Sequence, residues 1–521
     1  MGRILVTEEL AERGLAAMRD AGHTVDVRLG LSAEDLLAEV ATADAVVIRS
    51  ATKVTADVLA AAQQLVVVGR AGIGLDNVDV PAATARGVMV VNAPQSNILS
   101  AAEHTMALLL SQARNIPQAN AALKAGRWER SKWEGVELHG KTLGVIGLGR
   151  IGALVAQRAL AFGMRLIAYD PYVSPDRARQ MGVDLRDLDA VVADADFLTI
   201  HLPKTPETMG LIGTDLLKKA KRGVRIVNAA RGGIVDEAAL AEAIRDGQVD
   251  GAALDVFADE PTTESPLFDL DAVVVTPHLG ASTREAQDKA GQTIAEQVVL
   301  ALAGEFVPFA VNVSATEASE TVRPYLPLAE RLGSIFAALS EGLPPVIEVA
   351  YAGGLADYDT RILTLAVLRG ALGGVTDEPV SYVNAPQLAD QRGIEVRESK
   401  TTTTHDYVNL VTLRGGDHGI GGTLAGLSGE PRIVMIDGHK LDVPPARNML
   451  LVRNDDRPGV IGVVGTTLGA AEVNIEDMDV GRIEGGTAMM VLSTTQPVPA
   501  DVIDQLRSAP GVTSVAAISQ G

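Results

Sequence analysis

Along the first 280 residues, apolar runs of four or five residues alternate with stretches whose apolar positions recur at helical spacing. RILV, TVDVR, DAVVIRS, LVVVGRAG and VMVVNAP read as strands before residue 96. Between them lie TEELAERGLAAMRDAG, a helix around Ala33–Ala41 and further helical turns. Strands that are apolar throughout and joined by helices belong to a parallel sheet covered on both faces. A long apolar helix follows from Ser96 to about Arg114. TLGVIG, RLIAYD, FLTIHLP, VRIVNAA, GAALDVF and AVVVTPH then repeat the α/β pattern over residues 142–278, and residues 283–305 read as one helix. Two sheets of this kind predict two Rossmann-like α/β lobes with a cleft between them.

The pattern weakens after Val307–Val313. PYLPLAERLGSIFAALSEG reads as a helix, and VIEVAYAG, EVRESKTTTTH and YVNLVTLRG read as strands, which makes this part α+β. Its glycine-rich run GGDHGIGGTLAGLSGEP suits a phosphate cradle or hairpin turns, and hairpins are the expectation. His439 and Lys440 offer a weak second anion site. From Met449 the order is strand, helix, strand, strand, helix, strand, a ferredoxin-like βαββαβ unit with Pro458 near the first turn of its first helix. The expected division is 1–96 with 283–310, then 97–282, 311–445 and 449–521.

Composition narrows the function classes. The net charge of −21 argues against nucleic acid and anionic membrane as partners. It also means that an anionic substrate needs a local cluster of Arg and Lys. The absence of cysteine excludes disulfides, thiolate metal sites and thiol nucleophiles. MGRILVTEEL lacks a signal-type apolar stretch, and no apolar run approaches a membrane span, so a cytoplasmic location is expected and no metal site is.

GLGRIG, residues 147–152, follows a predicted strand and opens a predicted helix. In that context Gly147 serves the tight turn, Gly149 the close approach of a pyrophosphate, and Gly152 the packing of helix on strand. The amides at the helix start supply an anion site. The next strand ends at Asp170, at the distance where a carboxylate bonds a ribose 2′-hydroxyl. That carboxylate would repel an extra phosphate and Pro171–Tyr172 adds no Arg, so the expected cofactor is NAD.

Hydride transfer at a hydroxyl or carbonyl needs a general acid/base near neutral pH, which suits histidine. His278 ends an apolar strand at the carboxyl edge of a sheet, where such folds bind ligands. His23 and His139 read as surface and His104 as part of a helix. Arg231 lies just after VRIVNAA, and Asp255 and Glu260 follow another strand. Arg suits a substrate carboxylate, and Glu beside His orients it and favours its protonated form. Taken singly, each has a plainer reading: Arg231 as an ion pair with Asp236, and Glu260 as a solvated carboxylate before Pro261.

ARGGIVDEAAL, ALDVFADEP and PHLGAST behind GLGRIG resemble the D-isomer-specific 2-hydroxyacid dehydrogenases over residues 1–310. RSATKVTADVL, GRAGIGLDNVD and NDDRPGVIG narrow the resemblance to the family's long branch, over the whole chain. That branch carries a substrate lobe, an NAD-binding lobe, an intervening domain and an ACT domain. It oxidises 3-phosphoglycerate to 3-phosphohydroxypyruvate at the start of L-serine synthesis. The resemblance implies that Arg231 orients substrate, that Glu260 pairs with histidine, and that His278 exchanges the proton. It assigns cofactor contacts to Arg150, Ile151, Ala229, Ala230, Arg231, Asp255, His278, Gly280 and Ala281. Arg49 and Arg70 match substrate-binding arginines. Arg130 and Lys132 lie in WERSKWEG, a segment that reaches a neighbouring subunit, with Trp128 and Trp133 as interface anchors. Asn454, Asp456 and Asn474 match positions that bind L-serine, although the family often has His or Tyr where Asn454 stands. The resemblance also implies a tetramer. Two other readings stay open: a broader reductase of glyoxylate or hydroxypyruvate, and a non-catalytic dinucleotide sensor.

Overall fold

The computed structural model describes residues 2–313, 319–340, 342–376, 380–404, 406–426, 428–482 and 487–519. The predicted strand EVRESKTTTTH and the glycine-rich run each include one residue, 405 and 427, outside that set.

The first sheet contains β1 (Arg3–Val6), β2 (Thr24–Val27), β3 (Ala45–Ile48), β4 (Val67–Arg70) and β5 (Met89–Asn92). Its order is β2-β1-β3-β4-β5, and every pairing is parallel. Alternate residues face opposite sides. Leu5, Val46, Ile48, Val68 and Val90 bury against the helices of one face, and Ile4, Ala45, Val47, Val67 and Val91 against the other. Helix Arg284–Leu302 covers this second face through Ile294, Ala295 and Val298, so the chain returns to its first lobe after building the second.

The second sheet contains β6 (Thr142–Ile146), β7 (Arg165–Tyr169), β8 (Asp184–Leu185), β9 (Phe197–Ile200), β10 (Val224–Asn228), β11 (Val249–Leu254) and β12 (Val273–Val275). Its order is β12-β11-β10-β9-β6-β7-β8, again all parallel. The sheet has a separate core on each face. Parallel strands place all their carboxyl ends on one edge, so Gly147, Asp170, Ala229, Asp255 and Thr276 emerge together.

The third sheet contains β13 (Val346–Gly353), β14 (Glu395–Thr401), β15 (Asn409–Gly415), β16 (His418–Ala425), β17 (Glu430–Ile436) and β18 (His439–Val443), in the order β14-β13-β15-β16-β17-β18. The described residues of the glycine-rich run form the hairpins β15–β16 and β16–β17, as expected. His439 is buried with its Nδ1 3.1 Å from the Ile436 carbonyl, whereas Lys440 is exposed and pairs with Asp406, so the two do not form an anion site. Helices Leu326–Leu339 and Arg361–Gly373 pack on each other.

The fourth sheet contains β19 (Asn448–Asn454), β20 (Ile475–Arg482), β21 (Ala488–Thr494) and β22 (Val512–Ser519). Its antiparallel order β20-β21-β19-β22, with helices Val460–Ala470 and Ala500–Arg507, is the ferredoxin-like arrangement. Leu450, Val452, Met490 and Leu492 face those helices. Met449, Leu451, Met489 and Val491 face the third sheet's domain and join its core.

Candidate active site

The dinucleotide cradle takes the form the glycines imply. Gly147 has φ +95°, and a Cβ there would stand 2.7 Å from the His201 carbonyl oxygen. A Cβ on Gly152 would stand 2.1 Å from the Gly147 carbonyl oxygen, so helix Arg150–Ala161 lies directly against the turn. A Cβ on Gly149 would meet nothing within 4 Å: it faces open space at the start of that helix, whose first amides have no side-chain cap. These are the features of a pyrophosphate seat, and Arg150 and Ile151 form its first helical turn. The Asp170 carboxylate ends β7 and accepts from the Leu148 amide at 2.8 Å and the Tyr172 amide at 2.9 Å. Each oxygen keeps lone-pair capacity for a ribose hydroxyl.

Across the same edge, the His278 Nδ1 lies 2.6 Å from Glu260 Oε2. The other oxygen of Glu260 accepts from the Phe257 amide at 2.8 Å. Burial alone would raise the Glu260 pKa, but the His278 hydrogen bond and the Phe257 amide outweigh it and hold the carboxyl below its ordinary range. Glu260 is therefore an anion that accepts a hydrogen bond from Nδ1–H, which leaves Nε2 of the neutral ring as a base. The loop carrying Glu260 is anchored by Glu237, which accepts from the Ala258 amide and the Ser265 hydroxyl.

Asp255 organises the turn under His278. It is fully buried, and its Oδ1 accepts from the Leu279 amide at 2.7 Å, the Thr276 hydroxyl at 2.5 Å and His104 Nε2 at 3.1 Å. Its Oδ2 accepts from the Gly280 amide at 2.8 Å. Burial opposes the charge of Asp255, but the bonds from His104, Thr276 and Leu279 prevail and depress its pKa. His104 thus has a role that its place within a helix conceals.

Arg231 reaches across the cleft to the first lobe. Its Nε stands 3.2 Å from Asp76 Oδ2, and one terminal nitrogen donates to the Ala230 carbonyl at 2.7 Å. Its bulk partner is therefore Asp76, while Asp236 caps helix Glu237–Arg245. Asn228, at the buried end of β10, bonds the Ala230 amide and the Arg231 carbonyl and so shapes the loop of Ala229–Arg231. A Cβ on Gly232 would lie 1.6 Å from the Phe257 carbonyl oxygen, which brings the loops of Arg231 and Glu260 together.

Arg70 ends β4 with its Nε buried and without a partner among the described residues. Burial first, and then the like charge of Arg231, lower its pKa to about 10, so it remains cationic at neutral pH. Cβ atoms on Gly72 and Gly74 would stand 1.9 Å and 2.4 Å from the terminal nitrogens of Arg70 and Arg231. The chain between them folds over both guanidinium groups. Arg49 follows β3 on a loop tied down by Glu8, whose carboxylate accepts from the amides of Arg49, Ala51 and Thr52. Arg49 also lines a cleft with Ser96, Asn97 and Ala281.

Other predicted site residues lie outside this cleft. Lys132 pairs with Asp271 at 3.1 Å and lies 4.5 Å from the Trp133 ring, so it sits at the amino end of β12, opposite His278. Arg130 is exposed in the same segment, and neither residue enters the cleft of its own chain. Asn454 is buried: its amide donates to the Ala488 carbonyl at 3.3 Å and accepts from the Asp456 amide at 3.0 Å. Asn474 is exposed just before β20.

Glu8, His104 and Asn228 escaped sequence reasoning. The available signal for Glu8 and Asn228 was a polar residue at the end of an apolar strand, the same signal that singled out His278. His104 had none, because its partners lie more than 150 positions away.

Comparison with known proteins agrees with this geometry. Residues 106–280 match the NAD binding domain of D-isomer specific 2-hydroxyacid dehydrogenases, residues 321–437 the D-3-phosphoglycerate dehydrogenase intervening domain, and residues 448–511 the ACT domain. D-3-phosphoglycerate dehydrogenase of Mycobacterium leprae is 52% identical over 507 residues, with 96% of each chain covered. The protein of the same name from Synechocystis is 44% identical over 520 residues, covering 98% of this chain and 94% of the relative. Among solved structures, the TT0316 protein of Thermus thermophilus is 35% identical with a TM-score of 0.56, covering 59% of this chain and 99% of its own. D-lactate dehydrogenase of Aquifex aeolicus, complexed with NAD and lactic acid, is 27% identical with a TM-score of 0.53, covering 58% of this chain and 96% of its own. The chain is an NAD-dependent oxidoreductase acting on a CH–OH group, and it belongs to the D-3-phosphoglycerate dehydrogenase family.

Proposed function

We propose that the protein oxidises 3-phospho-D-glycerate to 3-phosphohydroxypyruvate in the cytoplasm, as the first step of L-serine synthesis. The observation that carries the substrate is the set of cations across the cleft, Arg70 and Arg231 with Arg49 nearby, in a chain whose net charge is −21. An anion there replaces the contact of Arg231 with Asp76 and relieves the mutual repulsion of Arg70 and Arg231. Arg231 holds the carboxylate, and Arg49 and Arg70 hold the phosphate. His278 Nε2 takes the C2 hydroxyl proton while Glu260 holds the ring and balances the imidazolium. NAD, when bound, supplies the hydride acceptor for C2. In the reverse direction protonated His278 returns the proton.

The first lobe, residues 1–96 with 283–310, binds substrate in this reading, and residues 97–282 bind NAD. Residues 311–445 form the intervening domain. The ACT domain, 449–521, makes the enzyme responsive to L-serine, with Asp456 and Asn474 contacting the effector and Asn454 shaping the turn beneath them. The assembly is a homotetramer. Trp128, 82% exposed, together with exposed Ile116 and Leu123, supports an interface along WERSKWEG, through which Arg130 and Lys132 approach a neighbour's cleft.

NADH oxidation with 3-phosphohydroxypyruvate, hydroxypyruvate and glyoxylate, with and without L-serine, tests the reading. Strong preference for the phosphorylated acid and suppression by serine are expected. Equal rates on all three would replace it with the broader reductase. His278→Asn should lose about 10²–10⁴-fold in turnover and retain NADH. A preserved rate would remove His278 from the chemistry.

A further inference from the structure

His278 has φ +53°, a left-handed backbone that a residue with a side chain seldom adopts unless its surroundings impose it. Here one residue imposes it. The His278 amide donates to the Asp255 carbonyl at 2.8 Å, and the amides of Leu279 and Gly280 and the hydroxyl of Thr276 all donate to the Asp255 carboxylate. All four of these donors belong to His278 itself, to the turn after it or to the strand end before it. A fifth comes from another element. Helix Ile98–Ala113 brings His104 Nε2 to 3.1 Å from Asp255 Oδ1 and 3.0 Å from Thr276 Oγ1. The Thr276 hydroxyl proton is directed at Asp255, so its oxygen is free to accept, and both distances are met by a proton on His104 Nε2. Among the described residues, His104 is the one ionisable donor that Asp255 has.

We propose that His104 is a positioning residue for the hydride-transfer reaction: by donating from Nε2 to Asp255 and Thr276, it fixes the turn that aims the His278 imidazole. A buried carboxylate that loses its ionisable partner keeps its desolvation penalty and loses compensation. The turn then relaxes away from the left-handed conformation, and the imidazole drifts from its line of attack. Misplacement of a catalytic group by about 1 Å lowers turnover on the order of 100-fold.

The inference rests on the dehydrogenase assignment but not on the choice of phosphoglycerate. The assay therefore uses whichever 2-hydroxy acid the wild-type full chain turns over fastest, and a wrong phosphate assignment leaves the comparison intact. Three variants are compared. Leu at 104 removes the donor. Gln carries an amide donor about as far out as Nε2. Asn carries one that falls short. His104→Leu and His104→Asn are expected to lose about 10–100-fold in kcat, with KM and the Kd for NADH, read by fluorescence, within about threefold of wild type. His104→Gln should recover most of the loss. Wild-type turnover in His104→Leu would overturn the proposal. So would a fall in kcat accompanied by a rise in KM and a loss of NADH affinity in all three variants, which marks a structural role. If His104→Leu does not fold, His104→Asn against His104→Gln decides alone: equal kcat values overturn the proposal.

Discussion

At the scale of single residues, the chemistry depends on which proton each partner holds. Glu260 is ionised and accepts from His278 Nδ1 at 2.6 Å. In Glu260→Gln the amide donates to Nδ1 instead, which moves the imidazole proton to Nε2 and removes the base. Oxidation should slow by about 10²–10⁴-fold, measured as kcat at saturating NAD, with NADH affinity retained. The same substitution has a stability signature. The folded pKa of Glu260 is depressed, so its contribution is present above the unfolded carboxylate value of about 4.3 and is lost as pH falls through the lower folded value. Denaturant unfolding from pH 6 to pH 3 should therefore lose stability less steeply in Glu260→Gln than in wild type. That Arg231, Glu260 and His278 come to one edge could be read from the sequence because each lies in the loop that follows an apolar strand. His104 was not, since nothing within its own helix marks a residue whose partners are Asp255 and Thr276.

At the scale of elements, the glycines separate what the sequence shows from what only packing shows. Gly149 was readable as a close-approach position because it stands between a strand and a helix. Its missing Cβ faces open space, so Gly149→Val should leave the melting temperature near that of wild type while weakening NADH binding by at least about tenfold, the equivalent of 1.4 kcal/mol. Thermal unfolding checks the first half and isothermal titration the second: unchanged affinity would mean that the pyrophosphate does not approach Gly149. Gly421 and Gly422 read as turn residues yet sit inside β16. A Cβ on Gly422 would stand 3.0 Å from Leu328 and 3.1 Å from Leu332 side-chain carbons, so the helix above the third sheet excludes a side chain there. Helix Arg361–Gly373 left no readable stripe for a similar reason. Its residues 362–368 and 370–372 are all buried, and burial on every side erases the helical period. The parallel sheets of the two lobes were legible because their strands are short, apolar and spaced by amphipathic helices.

At the scale of the whole molecule, the cores do not follow the order of the chain. One continuous apolar core joins a face of the first sheet, helix Arg284–Leu302, the intervening domain and the outer face of the ACT sheet. Ser381 donates to the Gly87 carbonyl, Arg453 pairs with Asp437, and Arg331 donates to the carbonyls of Ala446 and Arg447, tying the same three parts by polar contacts. The second lobe is enclosed by two cores of its own. The first lobe, intervening domain and ACT domain should therefore unfold together, with the second lobe as a separate unit. Differential scanning calorimetry should resolve two transitions. NADH at about 100 times its Kd stabilises the unit that binds it by roughly 2.7 kcal/mol, and it should raise one transition by several degrees more than the other. The pyrophosphate seat, Asp170 and the turn after His278 all belong to the second lobe, so the transition that moves should be the one that Gly149→Val no longer shifts. A single transition displaced as a whole by NADH would mean that the contact of Arg231 with Asp76 and the crossing segments at 93–98 and 281–284 couple the lobes more strongly than their separate cores imply. An effector at the ACT domain would then act on an undivided body rather than on the angle between two.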